Sequence, residues 1–129
     1  MGVAALLDTS IFVALESGRP LASFPDDGAI SAMTLAELHL GVLMAPGERI
    51  RARRLRTLSW VENAFDALVF DEIVARRCAE LQRLSRRRGR ERLNTADAVI
   101  AATAVVNGLP LYTQDADFDG LPGLEVVRV

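Results

Sequence analysis

The residues in this chain best suited to chemistry are carboxylates, and their positions matter more than their number. Asp8 ends the apolar run 3–7, and Asp115 follows the apolar run 109–113. Glu37 and Asp97 fall in the first turns of two predicted helices, 34–43 and 95–106. In an open parallel α/β sheet, ligands bind in the crevice outside the carboxyl ends of the strands, beside the helices that start there. Carboxylates gathered in such a crevice repel one another, and a shared divalent cation relieves that repulsion. Hard oxygen ligands suit Mg²⁺ or Mn²⁺. The chemistry implied is metal-assisted hydrolysis of a phosphate ester by an activated water.

Each acid also has an ordinary structural role to be weighed. Thr34-Leu35-Ala36-Glu37 matches a capping box, in which Glu37 would reach back to the backbone of Thr34. Asp97 in a first helical turn would be favoured by the helix dipole alone. Asp8 suits a helix N-cap and Asp115 a turn. Against these stands the coincidence of four separate segments placing a carboxylate at one end of the expected sheet. The helix of Asp97 is otherwise almost entirely apolar. Ser10 and Thr113 are placed to orient the carboxylates by hydrogen bonds. Asp117 lies two residues beyond Asp115, so in an extended stretch both side chains face one way. Either one then suits the fourth ligand position. His39, the only histidine, reads as a surface or interface residue, and histidine acid–base catalysis would lack a second histidine.

The elements that would position these residues alternate. Short apolar runs at 3–7, 29–32, 67–70, 109–113 and 124–127 read as strands. Helices are expected from Asp8-Thr9-Ser10 to about Glu16, then at 34–43, 50–64, 71–87 and 95–106. Gly18-Arg19-Pro20, Pro25-Asp26-Asp27-Gly28, Ala45-Pro46-Gly47, Gly89 and Asn107-Gly108 mark breaks between them. Leu55, Leu58 and Val61 form the apolar stripe of 50–64. Asp71 caps the next helix, whose stripe includes Val74, Cys78 and Leu81. Strands alternating with helices imply parallel βαβ units and an α/β fold with both sheet faces covered. With no repeat, linker or low-complexity stretch, residues 1–129 read as a single domain.

Composition narrows the partners. A net charge of −2 argues against holding nucleic acid by bulk electrostatics. All 15 basic residues are arginine, crowded at 49–56 and 83–92. The guanidinium fork matches phosphate geometry. The run 49–56 reads as a solvated helix face. Arg83 to Arg92, which leads into the helix of Asp97, is open to two readings, substrate contact or solvated linker. The single Cys78 excludes an internal disulfide and a thiolate metal cluster, which fits a reducing compartment; its place on an apolar stripe makes it a core residue. No segment approaches the roughly 18–20 apolar residues of a membrane span, and the N-terminus lacks the pattern of a secretory signal. A cytoplasmic protein is expected.

The motifs taken together resemble the PIN-domain ribonucleases, and within them the VapC-type toxins of bacterial toxin–antitoxin pairs. The resemblance spans essentially the whole chain. It is carried by Leu7-Asp8-Thr9-Ser10, by Glu37 in Thr34-Leu35-Ala36-Glu37-Leu38, and by Asp97 in Thr95-Ala96-Asp97-Ala98-Val99-Ile100-Ala101-Ala102. Thr113-Gln114-Asp115-Ala116-Asp117-Phe118 and Leu121-Pro122-Gly123-Leu124 complete it. It implies a PIN-like three-layer α/β/α sandwich whose central parallel sheet of about five strands runs in the order 3-2-1-4-5. It further implies Mg²⁺- or Mn²⁺-dependent endoribonuclease activity, a homodimer, and a small VapB-type antitoxin whose tail covers the active site. Asp8, Glu37, Asp97 and Asp115 would be the catalytic and metal-binding acids, with Ser10, Thr113 and Asp117 in support. The family varies at the fourth acid, which leaves Asp115 and Asp117 both eligible. Arg86, Arg87 and Arg88 would hold the RNA backbone, and base choice would come from groove shape on exposed single-stranded segments.

Rival classes with acids at parallel strand ends fit less well. A receiver-like signalling module, or a phosphotransferase of the haloacid dehalogenase type, normally brings an active-site lysine, and this chain has none. The second also expects an aspartate where Ser10 stands. No Gly-x-x-x-x-Gly-Lys run exists for a P-loop. The remaining alternative is a non-catalytic phosphate- or protein-binding module with structural acids.

Overall fold

The computed structural model describes residues 4–87 and 93–129. Five strands, β1 (Ala4–Leu7), β2 (Asp27–Ser31), β3 (Asp66–Leu68), β4 (Leu111–Thr113) and β5 (Val126–Arg128), form one sheet in the order β3-β2-β1-β4-β5. Every pairing is parallel. Five helices connect them: α1 (Thr9–Glu16), α2 (Ala32–Leu43), α3 (Glu48–Ala64), α4 (Glu72–Arg87) and α5 (Thr95–Val106). A 3-10 turn at Ala116–Phe118 follows β4.

Successive side chains on a strand face opposite ways, and β1 uses this to build two cores. Leu6 joins Val74, Cys78 and Leu81 of α4 and the buried alanines of α5. Leu7 joins Ile11 and Phe12 of α1 and Val61 of α3 on the opposite face. Helices therefore cover both faces, giving the three-layer α/β/α arrangement. In α5, Ala98, Ala101, Ala102 and Ala104 are all fully buried. Side chains this small let the helix lie close against the sheet, so that its first turn is fixed. On the other face Phe12, Trp60 and Phe65 pack edge-on, with ring centroids 5.4–5.8 Å apart. Gly28 in β2 admits this cluster: a Cβ there would lie 3.0 Å from Leu7 Cδ1 and 3.2 Å from the Phe65 ring.

Several boundaries differ from expectation. The ladder of β3 ends at Leu68 because its partner residue, Ser31, is the last of β2. Val69 and Phe70 lie beyond that partner and are exposed. In β4 the ladder begins at Leu111 rather than Leu109, and β5 spans Val126–Arg128 rather than 124–127. Leu58 and Val61 are buried as expected, but Leu55 is 49% exposed and is no part of the core. Helix α2 starts at Ala32, with Ser31 as its N-cap accepting from the Met33 amide, so Thr34 does not cap it. Asp71 caps α4 through its bond from the Val74 amide.

Candidate metal centre

Chain order runs from β1 outward to β3, then returns to the other side of β1 with β4. The reversal lies between β1 and β4, where open α/β sheets leave a crevice at the strand carboxyl ends. Asp8 follows β1 directly, and Asp115 follows β4 with only Gln114 between it and Thr113. Asp8 is 4% exposed. It occupies the N-cap position of α1, yet its side chain makes no cap bond. Its Oδ2 instead accepts from Ser10 Oγ at 2.7 Å and from Thr113 Oγ1 at 2.8 Å. Each hydroxyl, having given its proton to Asp8, accepts from the backbone: Ser10 Oγ from the Gln114 amide at 3.0 Å, Thr113 Oγ1 from the Asp115 amide at 2.9 Å. Two neutral donors thus fix the carboxylate and tie the β1 and β4 ends together. Both bonds arrive at Oδ2.

Glu37 is displaced from the expected first turn into the body of α2, out of reach of any capping box. Thr9 Oγ1 donates to its Oε1 at 2.6 Å. Because that proton is committed, the fully buried Thr34 is the donor in its 3.0 Å contact with Thr9. Thr34 therefore serves the site from inside the core, by way of Thr9.

Asp97 does lie in the first turn of α5, where it shares a reciprocal cap with Asn94. The Asp97 amide donates to Asn94 Oδ1 at 2.8 Å, and Asn94 Nδ2 donates to Asp97 Oδ2 at 2.9 Å. The ordinary structural role is real for this residue. Its carboxyl is nonetheless pushed up to about 6, first by burial and then by the charges of Asp8, Asp115 and Glu37, with the Asn94 bond acting the other way. Asp97 thus feels all three other acids. Asp97, Asp115 and Asp117 can also bring one carboxylate oxygen each within 4.8 Å of one another. Asp115 Oδ1 accepts from the Asp117 amide at 2.9 Å, and the fully buried Phe118 anchors the turn that carries both. Asp117 is exposed, Asp115 only partly so.

A constellation made only of carboxylates, neutral hydroxyls and one amide offers hard oxygen ligands of the kind that suit a divalent cation. His39 stands on the surface with its ring 3.9 Å from Glu62 and takes no part. Arg88 and the side chains of Arg86 and Arg87 lie outside what the structure describes, so the expected arginine run is not placed relative to the acids. Thr9 was not singled out in the sequence, although its place directly after Asp8 is a signal. Glu16 was also passed over. It lies seven residues after Thr9, two turns along the same face of α1.

The fold and sequence are similar to those of known proteins. Residues 5–124 match the PIN domain. Ribonuclease VapC5 of Mycobacterium tuberculosis is 45% identical over 131 residues, covering 98% of this chain and 96% of that protein. Ribonuclease VapC4 of the same organism is 39% identical over 128 residues, with 97% and 96% covered. The crystal structure of VapBC-5 from Mycobacterium tuberculosis, a member of the VapBC family of toxin-antitoxin systems, superposes with a TM-score of 0.85 at 42% identity, covering 98% of this chain and 99% of that one. Fold, strand order and near full-length sequence identity therefore agree: this chain belongs to the PIN-domain family, among the VapC ribonucleases.

Proposed function

We infer that the chain is a divalent-metal-dependent endoribonuclease, the toxin of a VapBC-type pair, whose cleavage of RNA inhibits translation and growth. One observation supports this reading above the rest: carboxylate oxygens of Asp97, Asp115 and Asp117 lie within 4.8 Å of one another, and Thr113 ties Asp8 to the same strand end by accepting from the Asp115 amide while donating to Asp8. Asp8, Glu37, Asp97 and Asp115 are the residues we propose to hold Mg²⁺ or Mn²⁺, with Asp117 as an outer, exposed partner of Asp115. A bound ion of this kind lowers the pKa of water and offsets charge on the scissile phosphate. The protein contributes position. Ser10 and Thr113 keep Asp8 in one rotamer, Thr9 does the same for Glu37, and Asn94 for Asp97. Arg86, Arg87 and Arg88 supply positive charge for the RNA backbone.

This reading requires two protein partners, a VapB-type antitoxin and a second copy of the chain. Leu40, Leu43 and Met44 at the end of α2, and Val69, Phe70 and Ile73 after β3, are exposed apolar surface of the kind partners cover. No helix among the described residues is long and apolar enough to cross a membrane.

The test is incubation of purified, antitoxin-free protein with total cellular RNA in Mg²⁺, Mn²⁺ or EDTA, beside a folded Asp8→Asn variant. Discrete fragments that need both the metal and Asp8 are expected. Cleavage that persists in EDTA or in the variant would refute the metal assignment, and no cleavage at all would refute the activity.

A further inference from the structure

A cavity of about 240 Å³ opens between α1, α2 and α3. Its lining includes Thr9 and Glu37 from the acidic site, the apolar Val13 and Leu38, and Glu16 with Thr57. We propose that this cavity is a base-recognition subsite, in which Glu16 reads the Watson–Crick edge of a guanine next to the cleaved phosphate. The proposal rests on the ribonuclease reading above.

Position is the first argument. The cavity shares two residues with the acidic site, so a nucleotide whose phosphate is held there has this opening within its own length. Size is the second. Pockets for drug-sized ligands run to roughly 300–1,000 Å³, and this one is smaller, suited to a single flat ring system. Val13 and Leu38 present apolar surface to the faces of such a ring.

The third argument is hydrogen-bonding capacity. The Glu16 side chain is only 15% exposed. Its Oε1 accepts from Thr57 Oγ1 at 2.8 Å, and Arg53 Nε forms an ion pair with Oε2 at 3.7 Å, longer than a hydrogen bond. An ionised carboxylate has about four acceptor sites, so capacity remains on both oxygens beside these two contacts. Arg54, the one guanidinium in the lining, gives one of its five N–H donors to the Gly41 carbonyl at 2.7 Å and keeps others for a carbonyl of the guest. The Glu16 carboxylate asks its guest for donors. Guanine carries two adjacent donors on its Watson–Crick edge, N1–H and the N2 amino group, in the spacing of a carboxylate's two oxygens. Adenine and cytosine place an acceptor beside their single amino group, and uracil places a carbonyl on each side of its one N–H.

The experiment uses the full chain and a set of short single-stranded RNAs that differ only in the nucleotides flanking the cut. The wild type is expected to cleave RNAs with guanine at one flanking position about tenfold to hundredfold better in kcat/KM, as a bidentate base contact allows. Glu16→Gln keeps an acceptor for Thr57 but turns a donor toward the base. It should remove that preference while other RNAs are cleaved at nearly the wild-type rate. Thr57→Val, which frees Glu16 from its anchor, should weaken the preference by a smaller factor. A wild type that cleaves with no guanine preference, or a preference that survives in Glu16→Gln, overturns the proposal and leaves the ribonuclease intact. Unchanged preference together with weaker antitoxin binding would assign the cavity to a protein partner instead. A wild type that cleaves no RNA overturns the ribonuclease reading and this proposal with it.

Discussion

Replacing Asp97 with asparagine should stabilise the metal-free protein at neutral pH while removing cleavage. The native carboxyl keeps its proton to about pH 6, against an ordinary value of 3.8. Between those limits the native state binds more protons than the unfolded chain, so stability falls as pH rises through the window. The rise corresponds to roughly 3 kcal/mol at about 1.36 kcal/mol per pH unit. Asp97 is only partly buried, and solvent screening reduces that by half, to about 1.5 kcal/mol. Asparagine escapes this cost. It keeps an oxygen for Asn94 Nδ2 but forgoes the dipole contribution of a first-turn charge, about 0.3–1 kcal/mol. The net gain is about 1 kcal/mol above pH 6, or about 4 °C in Tm for a chain of this size. It should vanish below about pH 4, where wild-type Asp97 is neutral in both states. Thermal unfolding of both proteins in EDTA from pH 4 to 8 reads this directly. A variant less stable than wild type at pH 7, or a difference that does not change with pH, would show that the charge of Asp97 is structural.

Other perturbations separate the scaffold from the site. Thr113→Val leaves Asp8 short of a donor and the Asp115 amide short of an acceptor in a fully buried position. It should cost about 1–3 kcal/mol in urea unfolding and raise the Mg²⁺ concentration needed for half-maximal cleavage; an unchanged metal requirement would divorce Thr113 from the site. Gly28→Ala forces a Cβ to 3.0 Å from Leu7 and should lower stability by about 1–3 kcal/mol with the cleavage pattern intact, an expectation that a wild-type melting curve would contradict. Changing Arg86, Arg87 and Arg88 together to Ala should weaken RNA binding and flatten its salt dependence. The same salt slope in the variant would assign that run to solvated surface.

The sequence revealed where the four acids fall in the fold better than the edges of the elements around them. Apolar runs ending at Asp8 and at Thr113 mark strand ends, because a buried parallel strand must be apolar throughout and its crevice end need not be. Those two runs placed the acids correctly. Glu37 was placed on the right helix for a mistaken reason. Ser31 and Thr34 are both competent caps, and only the end of the β2 ladder at Ser31 decides between them. Once Ser31 starts the helix, Thr34 turns inward and becomes a core residue bonded to Thr9. Likewise Val69 and Phe70 continue a good strand pattern, but a ladder is no longer than its partner. Leu55 fits an apolar stripe whose neighbouring surface is not there to cover it. Pairing length and tertiary cover are properties of two segments at once, which no single run of residues displays.

A contrast in how charges are satisfied ties the fold to its chemistry. Elsewhere on the molecule arginines approach acids: Arg53 near Glu16, Arg51 near Glu48, Arg77 on Glu80 and Arg128 on Asp119. Among the described residues, none of the ion pairs involves Asp8, Glu37, Asp97 or Asp115. These four are held by hydroxyls, one side-chain amide and one backbone N–H, that of Asp117. An arginine in the crevice would have neutralised the acids and pulled Asp97 down, relieving the strain and leaving little attraction for a cation. Neutral donors fix geometry without cancelling charge. On the proposed assignment, the unrelieved repulsion at Asp97 would have the same origin as affinity for a divalent ion, and a variant that lessens one should lessen the other.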